Sequence, residues 1–458
     1  MHIHILGICG TFMGGIAVLA REMGVTVTGS DSNVYPPMST QLEQLGIKVN
    51  QFDAGNLNPR PDIVVIGNAL SRGNPEVEAV LNDGLSYISG PQWLSEHFLQ
   101  GRHVLAVAGT HGKTTSSSML AWIQEYAGLE PGFLIGGIPQ NFGISARAGG
   151  GKYFVIEADE YDTAFFDKRS KFIHYHPKTL VLNNLEFDHA DIFSDLNAIK
   201  QQFHFLIRTV PGSGQLVINA DEEALQDVIN MGCWSEKTYF SITDQTNSEW
   251  QIENLQQDYS KFRIMYKGES AGILDWQLMG AHNASNALSA IAAATHVGIK
   301  TGLAIEALNQ FINVKRRMEV RGVINDITVY DDFAHHPTAI STTLEGLRKH
   351  CGNEKIIAIL EPRSNTMKMG VHKDTLMNSL QLADSVFIYQ PGDIEWDVSG
   401  LNKNSTQDIS MHTDINKLVD EVLAMNQPGD NILVMSNGGF AGIHDKLLQG
   451  LEHKYVQP

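Results

Sequence analysis

One short segment, residues 107–115, most constrains how this chain can fold. It reads VAGTHGKTT and directly follows the apolar run at residues 103–106. Small residues let backbone N–H groups surround phosphate oxygens, the helix opening at Lys113 points its positive end at them, and the Thr114 hydroxyl can reach a bound Mg²⁺. A standard P-loop has glycine where Val107 stands, so this is a shorter GxxGKTT variant. The sequence predicts a strand, a phosphate loop and a helix that bind a nucleoside triphosphate.

Length, charge and cysteine content narrow the class of protein. A chain of 458 residues with 43% hydrophobic content predicts about three domains of ~150 residues. The net charge of −18 disfavours nucleic acid and anionic membrane as partners, so a polyanionic ligand needs a local positive site. Three cysteines without metal-ligand spacing favour free thiols in a reducing compartment. The glycine-broken N-terminus, whose first basic residue is Arg21, fits neither a signal peptide nor a membrane span, and we expect a cytoplasmic protein.

The pattern of strands and helices predicts three α/β domains, at residues 1–101, 102–314 and 315–458. The first opens with a strand at 3–6, a glycine turn, a helix at 13–23 and a second strand that leads to Asp31. This is the plan of a dinucleotide-binding domain. The glycines follow GxxGxxxG and not the GxGxxG of nicotinamide cofactors, so the pattern serves a nucleotide-sugar diphosphate equally well.

The second and third domains repeat the alternation of buried strands and helices. In the second domain, residues 248–275 are typical of antiparallel hairpins and residues 283–296 of an Ala-rich helix. The other predicted strands are 153–156, 179–182 and 215–218 in the second domain, and 327–330, 356–360, 386–389 and 432–435 in the third. Strand ends in all three domains carry polar residues, which suggests one shared cleft.

Several polar residues at strand ends are candidates for chemistry. Glu157 closes a strand and begins an acidic cluster at 157–162, which would repel itself without a cation such as Mg²⁺; the alternative is a solvated loop. His189 follows another strand, although a lone histidine is usually structural. Arg316 and Arg317 have two possible roles. They form a solvated linker, or one of their side chains is a cation that moves onto the γ-phosphate when the domains close. The histidine pair at 335–336 suits either a site or a hydrogen-bonded turn.

Taken in order, these motifs resemble the Mur ligases of peptidoglycan synthesis. The strings are GTHGKTT at 109–115, EADE at 157–160, DH at 188–189, GAHNASNA at 280–287, RR at 316–317 and DFAHHP at 332–337. The resemblance implies an α/β fold with the three-domain Mur ligase architecture, in which a P-loop central domain lies between two Rossmann-like domains. Segments 4–11 and 335–337 resemble the branch that acts on UDP-N-acetylmuramate. Segments 10–15, 160–167 and 361–368 resemble members that add the murein tripeptide L-alanyl-γ-D-glutamyl-meso-diaminopimelate more than those that add L-alanine.

The resemblance also implies roles for individual residues in an ATP-dependent, Mg²⁺-assisted amide ligation through an acyl phosphate. Lys113, His189 and His335 are the implied catalytic residues, and Thr114, Glu157 and His189 the metal ligands. ATP would contact Gly109, Thr110, His111, Gly112, Lys113, Thr114 and Thr115, with His282 and Asn286 at adenine and Arg317 and Asp332 at the γ-phosphate and ribose. The UDP-sugar would contact Gly7, Ile8, Cys9, Gly10, Thr11, Asp31, Ser71 and Asn74. The peptide would contact Arg363, Ser364, Asn365 and Lys368, and whether Arg363, Lys368 or another residue binds the diaminopimelate end stays open.

One departure from the family concerns the metal shell. Some relatives carry a carbamylated lysine about fifteen residues after the metal histidine, where this chain has QFHF at 202–205 and Lys200 as the nearest lysine. We therefore predict no carbamate. We also expect a monomer or weak dimer.

Four other functions compete with the tripeptide ligase. The nearest is a UDP-N-acetylmuramate–L-alanine ligase of the same fold. A non-catalytic sensor of sugar nucleotide and ATP is disfavoured because Lys113, Glu157 and His189 are all present. A GTPase is disfavoured because residues 416–419 lack the aspartate of a guanine motif, and a dehydrogenase would leave the phosphate loop unexplained.

Overall fold

The first domain is an all-parallel sheet covered by helices. The computed structural model describes residues 1–34, 38–190, 192–243, 248–390 and 408–455, without the side chains of residues 365, 374 and 408. The strands are β1 (His2–Leu6), β2 (Thr26–Ser30), β3 (Val49–Asn50), β4 (Ile63–Ile66) and β5 (Tyr87–Ser89), in the order β3-β2-β1-β4-β5. The helices are α1 (Thr11–Glu22), α2 (Met38–Gln44), α3 (Pro75–Asn82) and α4 (Gly90–Leu94). The strand order reverses beside β1, so the loop after β1 opens at the switch point where ligands bind in such sheets.

The second domain is built on a ten-stranded sheet. Its strands are β6 (His103–Ala108), β7 (Gly132–Leu134), β8 (Ala146–Arg147), β9 (Tyr153–Ala158), β12 (Thr179–Leu182), β13 (Gln215–Asn219), β14 (Glu236–Phe240), β15 (Trp250–Asn254), β16 (Lys261–Tyr266) and β17 (Glu269–Asp275), with the separate hairpin β10 (Asp162–Ala164) and β11 (Asp167–Ser170). The helices are α5 (Lys113–Tyr126), α6 (Leu196–Ile207), α7 (Glu223–Asn230), α8 (Ala281–His296) and α9 (Thr301–Asn309). β6 pairs in parallel with both β9 and β12. β15, β16 and β17 are antiparallel, which confirms the predicted hairpins.

The third domain has a six-stranded sheet with one antiparallel edge. Its strands are β18 (Glu319–Ile324), β19 (Ile327–Asp332), β20 (Ile356–Leu360), β21 (Ser385–Tyr389), β22 (Asp408–His412) and β23 (Asn431–Met435), in the order β18-β19-β23-β20-β21-β22. The helices are α10 (Pro337–Cys351), α11 (Asn365–Lys368), α12 (Lys373–Ser379), α13 (Ile415–Met425) and α14 (Ile443–Tyr455). Three large sheets thus follow one another along the chain, and the domain boundaries given above stay a prediction.

The hydrophobic core explains why the strands read as continuous apolar runs. Neighbouring residues of β6 point to opposite faces, so Val104 packs in one core cluster and Leu105 in the other, both buried. The first of these clusters also contains Ile5 of β1, so the first two domains share one continuous core. All three cysteines are free thiols. None of the helices in the described part of the chain has the length and apolar character needed to span a bilayer.

Candidate active site

The phosphate loop joins β6 to α5 and depends on two glycines. Gly109 and Gly112 have φ values of +154° and +77°, the region that favours glycine. A Cβ atom on Gly112 would stand 2.4 Å from Oδ1 of Asn286. Asn184 fixes the loop from the side, because its Oδ1 accepts a hydrogen bond from the backbone N–H of His111 at 2.7 Å. The predicted loop is present, and a methyl group would not fit beneath it.

The amine of Lys113 points into the acidic end of β9. Its Nζ lies 2.9 Å from Oε2 of Glu160 and 3.8 Å from Oδ1 of Asp159. Burial alone would lower the pKa of Lys113, but the carboxylates of Glu160, Asp159 and Glu157 outweigh it and raise the pKa above its ordinary value. The lysine is therefore charged, and a bound phosphate would draw it away from these carboxylates.

Glu157 reaches the start of α5 because of the strand pairing. It stands opposite Val107 in the parallel β6–β9 pair, one residue before the end of β9. Its Oε1 accepts a hydrogen bond from Thr114 Oγ1 at 3.0 Å, and its Oε2 accepts one from the N–H of Gly136 at 2.8 Å. Burial raises the pKa of Glu157. A hydroxyl and a carboxylate side by side are the hard oxygen ligands that Mg²⁺ prefers, so these residues fit that ion.

His189 is held by Glu160, the carboxylate that also holds Lys113. His189 has φ +57°, and its Nε2 lies 3.0 Å from Oε1 of Glu160. Burial alone would lower the pKa of His189, but the hydrogen bond and charge of Glu160 raise it. No role for Glu160 itself was predicted from the sequence, although Glu160 lies in the acidic cluster at residues 157–162. Its contacts make it the link between the phosphate lysine and the proposed metal histidine.

A cavity of about 280 Å³ opens between the first and second domains. Its lining includes Gly10 and Thr11 of the first domain and Glu157 of the second, so the glycine loop after β1 and the acidic end of β9 face the same space. Lys171 also lines the cavity, with its Nζ 3.2 Å from Oδ2 of Asp159. Lys171 was not predicted, because nothing in its local sequence distinguishes it from a surface lysine.

The other residues predicted for the UDP-sugar have mixed positions. Buried Asp31 accepts hydrogen bonds from the N–H groups of Cys9 at 2.9 Å and Asn33 at 2.8 Å, so its carboxylate holds the glycine loop in shape. Asn74 caps α3 through its side-chain oxygen. Ser71 is exposed in the loop before that helix. In this structure Asp31 and Asn74 serve the backbone, and their contact with a ligand stays a prediction.

The residues predicted for adenine and ribose gather where the second and third domains meet. Asn286 lies behind the phosphate loop, where its Oδ1 accepts a hydrogen bond from Ser116 Oγ at 3.0 Å. Burial, helped by the positive charge of Arg317, lowers the pKa of His282 to about 4. Burial raises the pKa of Asp332, and Arg317 opposes that rise. His282, Arg317 and Asp332 are therefore electrostatic neighbours, although 35 to 50 positions separate His282 from the other two along the chain.

The third domain contacts the phosphate loop directly. Nε2 of His111 lies 2.7 Å from Oε1 of Glu186, and the other oxygen of Glu186 accepts a hydrogen bond from Thr338 Oγ1 at 2.7 Å. The ring of His336 lies 4.9 Å from that of His111. Burial lowers the pKa of His335, whose Nδ1 lies 3.0 Å from the carbonyl oxygen of Phe333. A carbonyl only accepts, so Nδ1 of His335 carries the proton and Nε2 is the basic nitrogen.

The residues predicted for the peptide follow β20. The guanidinium of Arg363 packs on Gly438, where a Cβ atom would stand 2.2 Å from Nη1. Ser364 accepts a hydrogen bond from the N–H of Met367 at 3.3 Å, and Lys368 ends α11. The side chain of Asn365 lies outside the described residues. The same turn meets the second domain through Thr366, whose hydroxyl lies 3.3 Å from Oδ1 of Asp188.

The segment where relatives carry a carbamylated lysine is occupied by other contacts. Lys200 Nζ lies 2.7 Å from Oδ2 of Asp227, and the ring of His204 stacks on Trp234 at 6.3 Å. The absence of a carbamate stays a prediction.

The fold and the site define a three-domain α/β enzyme that uses a nucleoside triphosphate. The acidic strand end and the glycine loop of the first domain line one cavity, and Glu157 in that lining is hydrogen-bonded to Thr114 of the phosphate loop. Comparison with known proteins identifies the enzyme further. Family profiles match residues 2–102 (Mur ligase family, catalytic domain), 107–294 (Mur ligase middle domain) and 316–438 (Mur ligase, glutamate ligase domain). The chain belongs to the Mur ligase family and is an ATP-dependent ligase, which confirms the predicted family, fold class and enzyme class.

Relatives from three bacteria show how far the likeness extends. The chain is 57% identical to an Escherichia coli protein named UDP-N-acetylmuramate–L-alanyl-γ-D-glutamyl-meso-2,6-diaminoheptandioate ligase, covering 99% of both chains. It is 48% identical to the murein peptide ligase of Psychrobacter arcticus, whose crystal structure superposes with a TM-score of 0.77 over 98% of both chains. It is 29% identical to the UDP-N-acetylmuramate–L-alanine ligase of Desulfosudis oleivorans, covering 98% of both chains. Identity is thus about twice as high to the tripeptide-adding relative as to the alanine-adding one.

Proposed function

We propose that this enzyme joins UDP-N-acetylmuramate to L-alanyl-γ-D-glutamyl-meso-diaminopimelate at the expense of ATP. The observation that carries the proposal is the shared cavity, which puts the glycine loop of the first domain beside Glu157, the carboxylate that accepts a hydrogen bond from Thr114 at the start of the phosphate-loop helix. A sugar nucleotide on the glycine loop would present its carboxylate to a triphosphate on the phosphate loop. The choice of tripeptide rests on the 57% identity to the Escherichia coli ligase. The product would return cell-wall peptide to peptidoglycan synthesis, and we expect the reaction in the cytoplasm, where ATP is available.

The proposed reaction has two steps, phosphorylation of the sugar carboxylate and attack of the peptide amine. A carboxylate oxygen of UDP-N-acetylmuramate attacks the γ-phosphorus of ATP, the bond to the β-phosphate oxygen breaks, and ADP leaves. The α-amine of the peptide then attacks the acyl carbon of the resulting acyl phosphate. The tetrahedral intermediate expels inorganic phosphate, and the amine nitrogen loses a proton as the amide forms. No protein nucleophile is needed, so the enzyme works by alignment and charge stabilisation.

The side chains of the site suit these steps. Lys113 exchanges Glu160 and Asp159 for the phosphate oxygens and neutralises their developing charge. His335, neutral and with Nε2 as its basic nitrogen, accepts the proton from the attacking amine. Arg317 supplies a second cation from the third domain when the cleft closes.

Thr114 and Glu157 would hold Mg²⁺, with His189 as a further ligand. When bound, the ion polarises phosphoryl oxygens and offsets their negative charge. The oxygen pair fits Mg²⁺ in the present arrangement.

The second candidate is an L-alanine ligase, because the alanine-adding relatives share the fold and the sugar nucleotide. A phosphate-release assay with UDP-N-acetylmuramate and ATP separates the two, with either L-alanine or the tripeptide as acceptor. We expect turnover with the tripeptide and none above background with L-alanine. Turnover with L-alanine alone would overturn the proposal, and release that needs no acceptor would indicate hydrolysis without ligation.

A further inference from the structure

A cluster of imidazoles lies where the phosphate loop meets the third domain, outside the proposed magnesium ligands. It consists of His111 and Glu186 from the second domain and His336 and His372 from the third. One ligand atom from each of His111, Glu186 and His336 lies within 4.8 Å of the others. The ring of His372 lies 4.4 Å from that of His336. We name these four residues the junction cluster.

Two buried ring nitrogens of the junction cluster have no hydrogen-bond partner among the described residues. They are Nε2 of His336 and Nε2 of His372, and His336 as a whole is only 5% exposed. A buried polar atom without a partner costs about 1–3 kcal/mol, so it calls for a ligand. The third imidazole, His111, already has its Nε2 2.7 Å from a carboxylate oxygen of Glu186.

We propose that the junction cluster binds an imidazole-preferring divalent ion of the Zn²⁺ class and thereby ties the phosphate loop to the third domain. Two or three imidazoles with one carboxylate form a ligand set typical of Zn²⁺, whereas Mg²⁺ is held mainly by oxygen ligands. Metal–nitrogen bonds of about 2.0–2.1 Å place tetrahedral ligands about 3.3 Å apart. The ligand atoms of His111, Glu186 and His336, which lie within 4.8 Å of one another, need to close by at most about 1.5 Å.

The surroundings of the junction cluster favour a cation. The carboxylates of Glu186 and Asp188 act electrostatically on both His336 and His372, and Glu222 lies close enough to Glu186 to feel its charge. Among the described groups with the largest effects on these two histidines, none is a lysine or an arginine. A divalent ion would therefore relieve a local excess of negative charge.

We expect His336 to bind the ion through Nε2, with a shift of its ring proton. Its Nδ1 now accepts a hydrogen bond of 3.3 Å from the N–H of Thr338, so the ring proton sits on Nε2. When the ion takes Nε2, that proton moves to Nδ1, so the long hydrogen bond from Thr338 is lost in exchange for the metal bond and the ring has to turn Nδ1–H away from the Thr338 N–H. The neutral ring gains no net charge of its own. Glu186 keeps its second oxygen on the Thr338 hydroxyl, which orients the carboxylate as a supporting partner does in metal sites.

The test measures metal binding by the untagged full-length protein without substrates, so its outcome is independent of the proposed reaction. Zn²⁺ is titrated by equilibrium dialysis in excess Mg²⁺, and Co²⁺ absorption reports the ligand geometry. We expect one tight Zn²⁺ per chain that excess Mg²⁺ does not displace. His336→Gln and His372→Gln should each lower Zn²⁺ affinity at least about tenfold. Mutation of residues that only support the ligands of a metal site already lowers metal affinity about 10–100-fold.

Two variants at histidines outside the junction cluster serve as controls. His350 is a half-exposed histidine at the end of α10, 3.0 Å from Asp258, so His350→Gln should leave Zn²⁺ binding unchanged. His189→Gln should also leave it unchanged, because His189 belongs to the other site. Circular dichroism of the metal-free variants checks that they fold. Because His372 is only half-buried, His372→Gln should disturb the fold less than His336→Gln. The proposal would be overturned if the wild type shows no tight Zn²⁺ binding, if both cluster variants bind Zn²⁺ as tightly as the wild type, or if only His189→Gln loses Zn²⁺ binding.

Discussion

Replacing Lys113 by alanine tests the part of the site on which the chemistry most depends. The lysine side chain is 11% exposed and ion-paired with Glu160, itself 2% exposed. Removing the amine has two effects that can be measured separately. It takes a preorganised cation from the transferred phosphate, and it leaves a buried carboxylate short of one partner.

The structure sets the size of each effect. Loss of one preorganised donor to a transition-state oxyanion costs about 10²–10³ in turnover, or about 2.7–4 kcal/mol. Breaking a buried ion pair by removing one partner costs about 3–5 kcal/mol of stability. We expect the lower end, about 3 kcal/mol, because His189 still contacts Glu160 at 3.0 Å. UDP-N-acetylmuramate affinity should change little, since the glycine loop belongs to the first domain.

A double variant separates chemistry from folding. Lys113→Ala combined with Glu160→Gln removes the uncompensated charge, so urea unfolding should show most of the stability restored while phosphate release stays at the level of the single variant. Lys168→Ala is the matched control: this lysine is 70% exposed and pairs with Asp162, an arrangement worth about 0–1 kcal/mol. If Lys113→Ala turns over within about threefold of wild type, or if the double variant recovers activity, Lys113 does not act on phosphate.

Three further predictions concern the loops and the pH dependence. Gly112→Ala should weaken ATP binding more than tenfold, because its methyl group meets a buried amide oxygen at 2.4 Å; Gly128→Ala, with a similar φ of +73° and open space, should leave ATP binding intact and cost only about 1–2 kcal/mol in urea unfolding. Because Glu160 raises the pKa of His189, their ion pair stabilises the folded protein fully below about pH 6.5, and this stabilisation is lost as the pH rises through the folded-state pKa. The melting temperatures of wild type and His189→Gln should therefore converge from pH 6 to 9, and a constant difference between them would contradict this. Asp31→Ala removes the carboxylate that accepts a hydrogen bond from the backbone N–H of Cys9 in the glycine loop. The affinity for UDP-N-acetylmuramate, measured by calorimetry, should fall about tenfold without a change in the KM for ATP. Unchanged affinity would show that the glycine loop keeps its conformation without Asp31.

Local sequence signals were sufficient for the phosphate loop and for the strands that flank it. Apolar runs bounded by glycine and polar residues report buried parallel strands directly, and the carboxyl ends of such strands meet at one edge. The convergence of Glu157 and Thr114 follows from that rule, and the structure joins them at 3.0 Å. The antiparallel strands of residues 250–275 were likewise visible, because side chains alternate there with a period of two.

Contacts between distant segments were decided only by the tertiary structure. The acidic cluster offers several carboxylates, and only the packed loops select Glu160 to hold both Lys113 and His189. The packing of α8 against α5 also puts the amide oxygen of Asn286 behind the phosphate loop, and its contact with adenine stays a prediction.

The junction cluster shows the same division. His111 and Glu186 follow parallel strands of one sheet, so their proximity agrees with a rule readable from the sequence. His336 reaches them only because the third domain docks against that edge, and docking depends on the shapes of two complete surfaces. The sequence by itself determined the elements and the strand ends that carry polar groups, because those signals are periodic and local. The tertiary structure decided which of those groups meet, because their separation in space is set by packing and not by their spacing along the chain.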